Sequence, residues 1–312
     1  MSRRTKRVFI VFLAVLFILQ VIPFLLPVSQ GTSKPVAQPY ENSAFFNTGE
    51  VTIHYRTWEP EGVSAGNVLL IHGLGGSTFT WRFTAEALRK AGYKVVAVDL
   101  PGFGFSTRLR GFDHSQKQRS EWLWALLAGT EPWILMGHSM GAGTATAMAM
   151  SHPQRTTALV LADGALYDNN PSLVAKLMSY PPLARTFQFV LEQFLITENR
   201  LASFLSSAYG RPLQEEERLG YAEPLMLPGT TGTLIDLVKT AKSEPIDAEI
   251  LSKILVFALW GAEDTWVPPD TIEVILKDIP HMEATLIPGG GHCPMETHAE
   301  EFNEILLGFL RK

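Results

Sequence analysis

Five short, uninterrupted apolar runs, at residues 68–71, 95–98, 134–136, 158–161 and 254–259, constrain the fold of this chain more than any other feature. A strand that is apolar throughout needs cover on both faces, as in a parallel sheet layered between helices. Helix-like segments at 80–90, 116–127, 140–150, 271–277 and 299–310 separate or follow these runs. Alternation of strand and helix places the chain in the α/β class with a mainly parallel sheet. Residues 51–56 differ, alternating as an exposed antiparallel strand does. From Ala165 to about Pro245 the strands lapse. Helix-like pieces at 172–178, 184–194 and 233–242 remain, punctuated by prolines, Gly229 and Gly232. A helical insertion between two sheet strands accounts for them.

The length of 312 residues suits one large domain with such an insertion. An apolar share of 46% against 18% charged describes a globular protein. The net charge is −5, and without Arg3, Arg4, Lys6 and Arg7 the remainder carries −9, which argues against a nucleic-acid surface. Cys293 is the one cysteine, so there is no disulfide framework and no cysteine-based metal cluster.

Residues 8–26 form a 19-residue span without charge, behind that basic cluster and ahead of a polar tract at 29–38. About 20 apolar residues cross the hydrocarbon layer as a helix. A cleaved signal peptide has a shorter apolar region and a small-residue cleavage site. The site around Ser29-Gln30-Gly31 is poor, so the reading is an uncleaved anchor, with secretion after cleavage as the alternative. The positive-inside rule leaves the basic end in the cytoplasm and the folded domain across the membrane. Residues 31–40 read as a linker.

After the run ending at Met136 comes Gly137-His138-Ser139-Met140-Gly141. A serine flanked two places either side by glycine, between a strand and a helix, is the nucleophile-elbow pattern. Such a serine needs a base to take its proton, a group to orient the base, and amide donors for the oxyanion. The best base is His292, in Pro288-Gly289-Gly290-Gly291-His292, after an apolar run at 285–287 and before the last helix. His72 and His138 lie in motifs where they support backbone geometry, and the other histidines have no such setting. Asp264 follows the run at 254–259 and can accept from the imidazole; Glu263 beside it and Asp163, after the preceding strand, are alternatives. The amide of Met140 and one from His72-Gly73-Leu74-Gly75-Gly76, Leu74 by position, would form the oxyanion hole. That glycine-rich loop lacks the Gly-Lys-Ser/Thr of a phosphate loop. The order Ser139, Asp264, His292 is that of an α/β-hydrolase triad.

These residues, with Asp99-Leu100-Pro101-Gly102-Phe103-Gly104-Phe105-Ser106, Val267-Pro268, Pro294 and Glu296, resemble the capped branch of the α/β-hydrolase superfamily from about Glu50 onward. That branch contains esterases, lipases, carbon–carbon bond hydrolases, cofactor-free haloperoxidases and epoxide hydrolases. The resemblance implies an eight-stranded, mostly parallel sheet with helices on both sides and a helical lid at 165–245, between strands 6 and 7. With the N-terminal reading above, the chain divides into an anchor or signal at 1–28, a linker at 29–48, core at 49–164, lid at 165–245, and core at 246–312. Ser139 in place of aspartate departs from epoxide hydrolases. His138 replaces the asparagine usual in carbon–carbon hydrolases and is the more esterase-like choice.

The expected reaction is hydrolysis of an apolar carboxylic ester through an acyl-enzyme, with no cofactor and no metal. Carbon–carbon, peptide or perhydrolase chemistry on the same triad is the alternative, and a non-catalytic anchored binding module is a further one. Trp266, Phe187, Phe189, Phe194 and Phe204 would line an acyl pocket or form lid core. Cys293 reads as a packing residue, and Glu215-Glu216-Glu217-Arg218 as a solvated helix face.

Overall fold

A computed structural model describes residues 3–32, 38–129, 131–167 and 172–312 of the chain. Parts of the expected linker (33–37) and of the expected lid (168–171) lie outside the described residues. Eight strands form one sheet: β1 (Ser43–Asn47), β2 (Thr52–Trp58), β3 (Gly66–Ile71), β4 (Tyr93–Val98), β5 (Trp133–His138), β6 (Thr156–Ala162), β7 (Leu255–Gly261) and β8 (Glu283–Ile287). Their spatial order is β1-β2-β4-β3-β5-β6-β7-β8. β2 runs antiparallel to both neighbours, and the strands from β4 across to β8 are mutually parallel.

The apolar runs are buried on both faces, as their composition requires. Leu69, Ile71, Leu135, Leu159 and Leu161 pack with Trp122 and Leu123 of helix Gln116–Leu126 and with Ala145 and Met148 of helix Met140–Ser151. Val68, Leu70, Ile134, Met136 and Val160 pack with Ala85 and Leu88 of helix Arg82–Lys90 and with Phe302 and Leu306 of helix Ala299–Leu310. Because β3, β5, β6, β7 and β8 are parallel, the loops that follow them share one edge of the sheet. Ligands of open α/β sheets bind along that edge.

Two expectations are corrected here. The 29–48 segment is not all linker, since Ser43–Asn47 is a strand paired with β2. β2 is consequently not an exposed edge, and Ile53 and His54 within it are fully buried.

Between β6 and β7 the chain is helical: Ser172–Met178, Pro181–Val190, a π-type turn at Leu191–Leu195, Glu198–Tyr209, Glu215–Leu225 and Thr230–Thr240. The N-terminal helix, Arg3–Leu25, is long and apolar enough to cross a membrane by length and composition, and it is almost wholly exposed. Its last turns meet this insertion. Gln20 bonds the Tyr180 hydroxyl, and Arg185 donates to the Leu26 carbonyl at 3.1 Å. Ser29 then donates through its hydroxyl and its amide to the Glu192 carboxylate at 2.7 and 2.9 Å, while Gln188 donates to the Ser29 carbonyl at 3.3 Å.

Candidate active site

Ser139 sits at the turn from β5 into helix Met140–Ser151 with φ 50° and ψ −122°. A non-glycine residue in that region costs roughly 1–3 kcal/mol and persists only where its surroundings hold it. Here the Ser139 amide donates to the Ala162 carbonyl at 3.0 Å, and its own carbonyl accepts from Ala142 and Ala165 at 2.9 and 3.0 Å. The flanking glycines are required by the closeness of the turn. A Cβ on Gly137 would overlap the Gly141 carbonyl, and one on Gly141 would overlap the carbonyls of Ile71 and His72. Backbone cannot yield as a flexible side chain does. Gly141→Val is therefore expected to cost about 3 kcal/mol or more in urea unfolding and to abolish turnover.

His292 and Asp264 come together from two loops. Asp264 Oδ2 accepts from His292 Nδ1 at 2.7 Å, while Oδ1 accepts the amides of Trp266 and Val267 at 2.7 and 3.1 Å. With its Nδ1 proton fixed on a carboxylate, the ring presents Nε2 as an acceptor. The His292 backbone is held from two sides. Its amide donates to Ala208 of the insertion at 2.8 Å, and its carbonyl accepts from His138 Nε2 at 2.7 Å. Burial, with His292 beside it, pushes His138 well below the usual imidazole range, so it serves as a neutral donor. His72 is likewise a framework group: Nδ1 donates to Gly73 and Nε2 accepts the Leu100 amide. Of the alternatives to Asp264, Glu263 is exposed, whereas Asp163 is fully buried beside the pair.

Ser139, His292 and Leu74 line one cavity of about 730 Å³. Leu74 is 48% exposed at its rim. Met140 is not among the lining residues; it opens the helix behind Ser139, where a first-turn amide has no intrahelical acceptor. Among the described residues no hydrogen bond from the Leu74 or Met140 amide is seen.

Insertion residues complete the wall, including Leu191 and Leu195 of the π-type turn, Leu201, Phe204 and Leu225. Trp266 stacks on His292 at 5.3 Å between centroids and meets Phe204 at 4.3 Å. Phe187, Phe189 and Phe194 are not among the lining residues; Phe189 and Phe194 pack on each other. Glu217 is also unlike its solvated neighbours, being buried, paired with Arg211 at 2.7 Å and bonded to the Gln214 amide.

A tie between insertion and core escapes any reading of local pattern. Glu296, buried, accepts from Tyr209 at 2.6 Å, from Tyr221 and from Arg82. Burial pushes its carboxyl up against the opposing pull of Arg82 and the two tyrosines. Cys293 lies beside this group. Burial and the Glu296 charge push its thiol well up, leaving it a small packing residue in the cavity wall.

The sheet also holds a look-alike relay. His54 Nδ1 bonds Asp99 Oδ2 at 2.7 Å, and Ser43 Oγ lies 2.7 Å from His54 Nε2. Asp99 further accepts the amides of Thr78 and Phe105 at 2.6 and 2.7 Å. Ser43 is in regular strand pairing, with neither a strained turn nor a helix N-terminus behind it. This relay fastens β1 and β2 to the loop after β4.

The family model described as the alpha/beta hydrolase fold matches residues 66–299. The chain belongs to the α/β-hydrolase family, and it is a hydrolase of that family. It is 28% identical over 289 residues to a 2-hydroxy-6-oxononadienedioate/2-hydroxy-6-oxononatrienedioate hydrolase of Burkholderia vietnamiensis, covering 84% of this chain and 92% of that one. It is 24% identical over 262 residues to the pimeloyl-[acyl-carrier protein] methyl ester esterase of Yersinia enterocolitica, covering 82% and 97%. Among solved structures, a bacterial membrane phospholipase A superposes with a TM-score of 0.68 at 22% identity, over 99% of this chain and 98% of that one.

Proposed function

We propose that the protein is a serine hydrolase that cleaves a carboxylic ester, or a related acyl bond, through an acyl-enzyme. The observation that carries this reading is the 2.7 Å pairing of Asp264 with His292, whose ring shares the cavity wall with Ser139. In this reading Ser139 Oγ passes its proton to His292 Nε2 and attacks the acyl carbon. Asp264 stabilises the imidazolium, and the amides of Leu74 and Met140 receive the oxyanion. Collapse returns the proton to the leaving alcohol, and water repeats the cycle on the acyl-enzyme. The leucine and phenylalanine wall suits an apolar acyl chain. The insertion acts as the lid, and helix Arg3–Leu25 as an anchor with its basic end in the cytoplasm and the catalytic domain on the other side. The resemblance to a bacterial membrane phospholipase A supports attachment to a membrane.

A fluorophosphonate is expected to label wild-type protein at Ser139; no labelling of folded protein overturns the reading. An ester chain-length series gives the acyl preference. The dienedioate named for the Burkholderia relative belongs in the same panel, and its faster turnover than every ester would reassign the substrate. Intact mass of the membrane fraction is expected to retain Arg3–Leu25. A chain beginning near Thr32 would replace the anchor by a cleaved signal.

A further inference from the structure

We infer that Asp163 holds a proton and donates it to Asp264, so that the acid behind His292 is a pair of carboxyl groups sharing one proton. This rests on the triad reading above. Among the described residues only Ser139 and Asp163 are non-glycine residues with left-handed φ, and they directly follow the adjacent strands β5 and β6. Asp163 takes φ 45° with its side chain fully buried. Its Oδ1 accepts the Gly261 amide at 2.8 Å, whereas no donor reaches Oδ2. A buried carboxylate oxygen without a donor is costly. Ligand atoms of Asp163, Asp264 and His292 all lie within 4.8 Å of one another.

Two carboxylates that close, away from water, do not both keep their charge. A proton on Asp163 removes one charge and gives the orphan oxygen a partner. The donor census says which one carries it. Asp264 already accepts from two amides and the imidazole, and Asp163 from one amide. Burial pushes the Asp163 carboxyl well up, only partly opposed by the Gly261 amide, and the Asp264 charge adds to the rise. The other groups nearby supply no countercharge. Cys293 is driven towards its neutral thiol, His138 is neutral against His292, and Arg82 is engaged by Glu296. Asp163 is thus a positioning residue. By drawing charge from Asp264 it weakens the hold on the imidazolium that the reaction forms.

The acid limb of the kcat/KM profile on a soluble aryl ester reads this directly. Asp163→Asn keeps the shape and a donor and carries no charge, so the midpoint should stay within about 0.5 pH unit of wild type. Were Asp163 ionised, the same change would remove a negative charge beside the imidazolium and lower the midpoint by about one unit or more, which overturns the proposal. Asp163→Leu removes the donor and should raise the midpoint by about 0.5 unit or more; an unmoved midpoint counts against sharing. If that variant does not fold, the asparagine variant decides, together with the infrared carbonyl band of a protonated carboxyl. That band is expected in wild type and lost in Asp163→Asn; its absence from wild type also overturns the proposal. Fluorophosphonate labelling at plateau pH tests the triad separately, since labelled variants with a fallen midpoint would sink the shared proton alone.

Discussion

Ser139→Ala is expected to lower kcat on a short-chain aryl ester by about five to six orders of magnitude, with the thermal midpoint little changed. The loss is that large because nucleophile, base and orienting acid act as one unit, leaving only what oxyanion donors and binding contribute. Ser43→Ala is the matched control. Its hydroxyl lies 2.7 Å from an imidazole that bonds a buried carboxylate. A serine, a histidine and a buried carboxylate therefore come together twice, but only Ser139 combines a strained turn, an adjacent helix N-terminus and a cavity. Ser43→Ala should leave kcat within about twofold and labelling intact, at a cost of about 1 kcal/mol from the lost hydrogen bond. Equal loss in both variants would mean that the β1–β2 relay takes part in the chemistry.

Asp264→Asn should cost about 10⁴ in kcat with the fold preserved. Two backbone amides point at Oδ1, so the asparagine oxygen is bound to stay with Trp266 and Val267. Its NH₂ then faces His292 Nδ1. A donor there forces the imidazole to accept at Nδ1 and to carry its proton on Nε2, where it cannot take one from serine. A loss of less than about tenfold would show another carboxyl in that role, with Asp163 the nearest by geometry.

The apolar runs of β3 to β7 were legible because burial leaves no polar residue to blur them, whereas β8, mostly exposed and carrying Glu283 and Thr285, showed only its last residues. Ser139, Asp264 and His292 stood out for a related reason: each follows such a run in a short, glycine-marked or acidic loop. The rest depended on contacts that no local pattern carries. β1 has five residues beside a polar tract, and its place comes from pairing with β2. Helix Glu215–Leu225 contains Gly220 and Pro224, residues that usually mark a break. Yet Gly220 is where the Phe79 ring packs, leaving no room for a Cβ. Glu217 reads as solvent-facing among its acidic neighbours, and only Arg211 and the Gln214 amide reveal why it turns inward. The shared setting of Asp163 and Asp264 joins residues from two strands, so sequence could offer them only as competitors.

The clasp at Ser29 bears on how the enzyme stands rather than on what it does. A polar segment behind an apolar helix would ordinarily act as a leash, letting the domain tumble beneath its attachment. Here the first residues past the helix are bonded to Glu192 and Gln188, and Leu26 to Arg185. The helix is thereby a mast stepped into the insertion, and whatever surface holds it meets the same side of the enzyme every time. Glu192 belongs to the same π-type turn as Leu191 and Leu195, so the footing of the mast and the wall of the cavity are one piece of backbone. A pull on the helix would bear first on that stretch of the cavity wall.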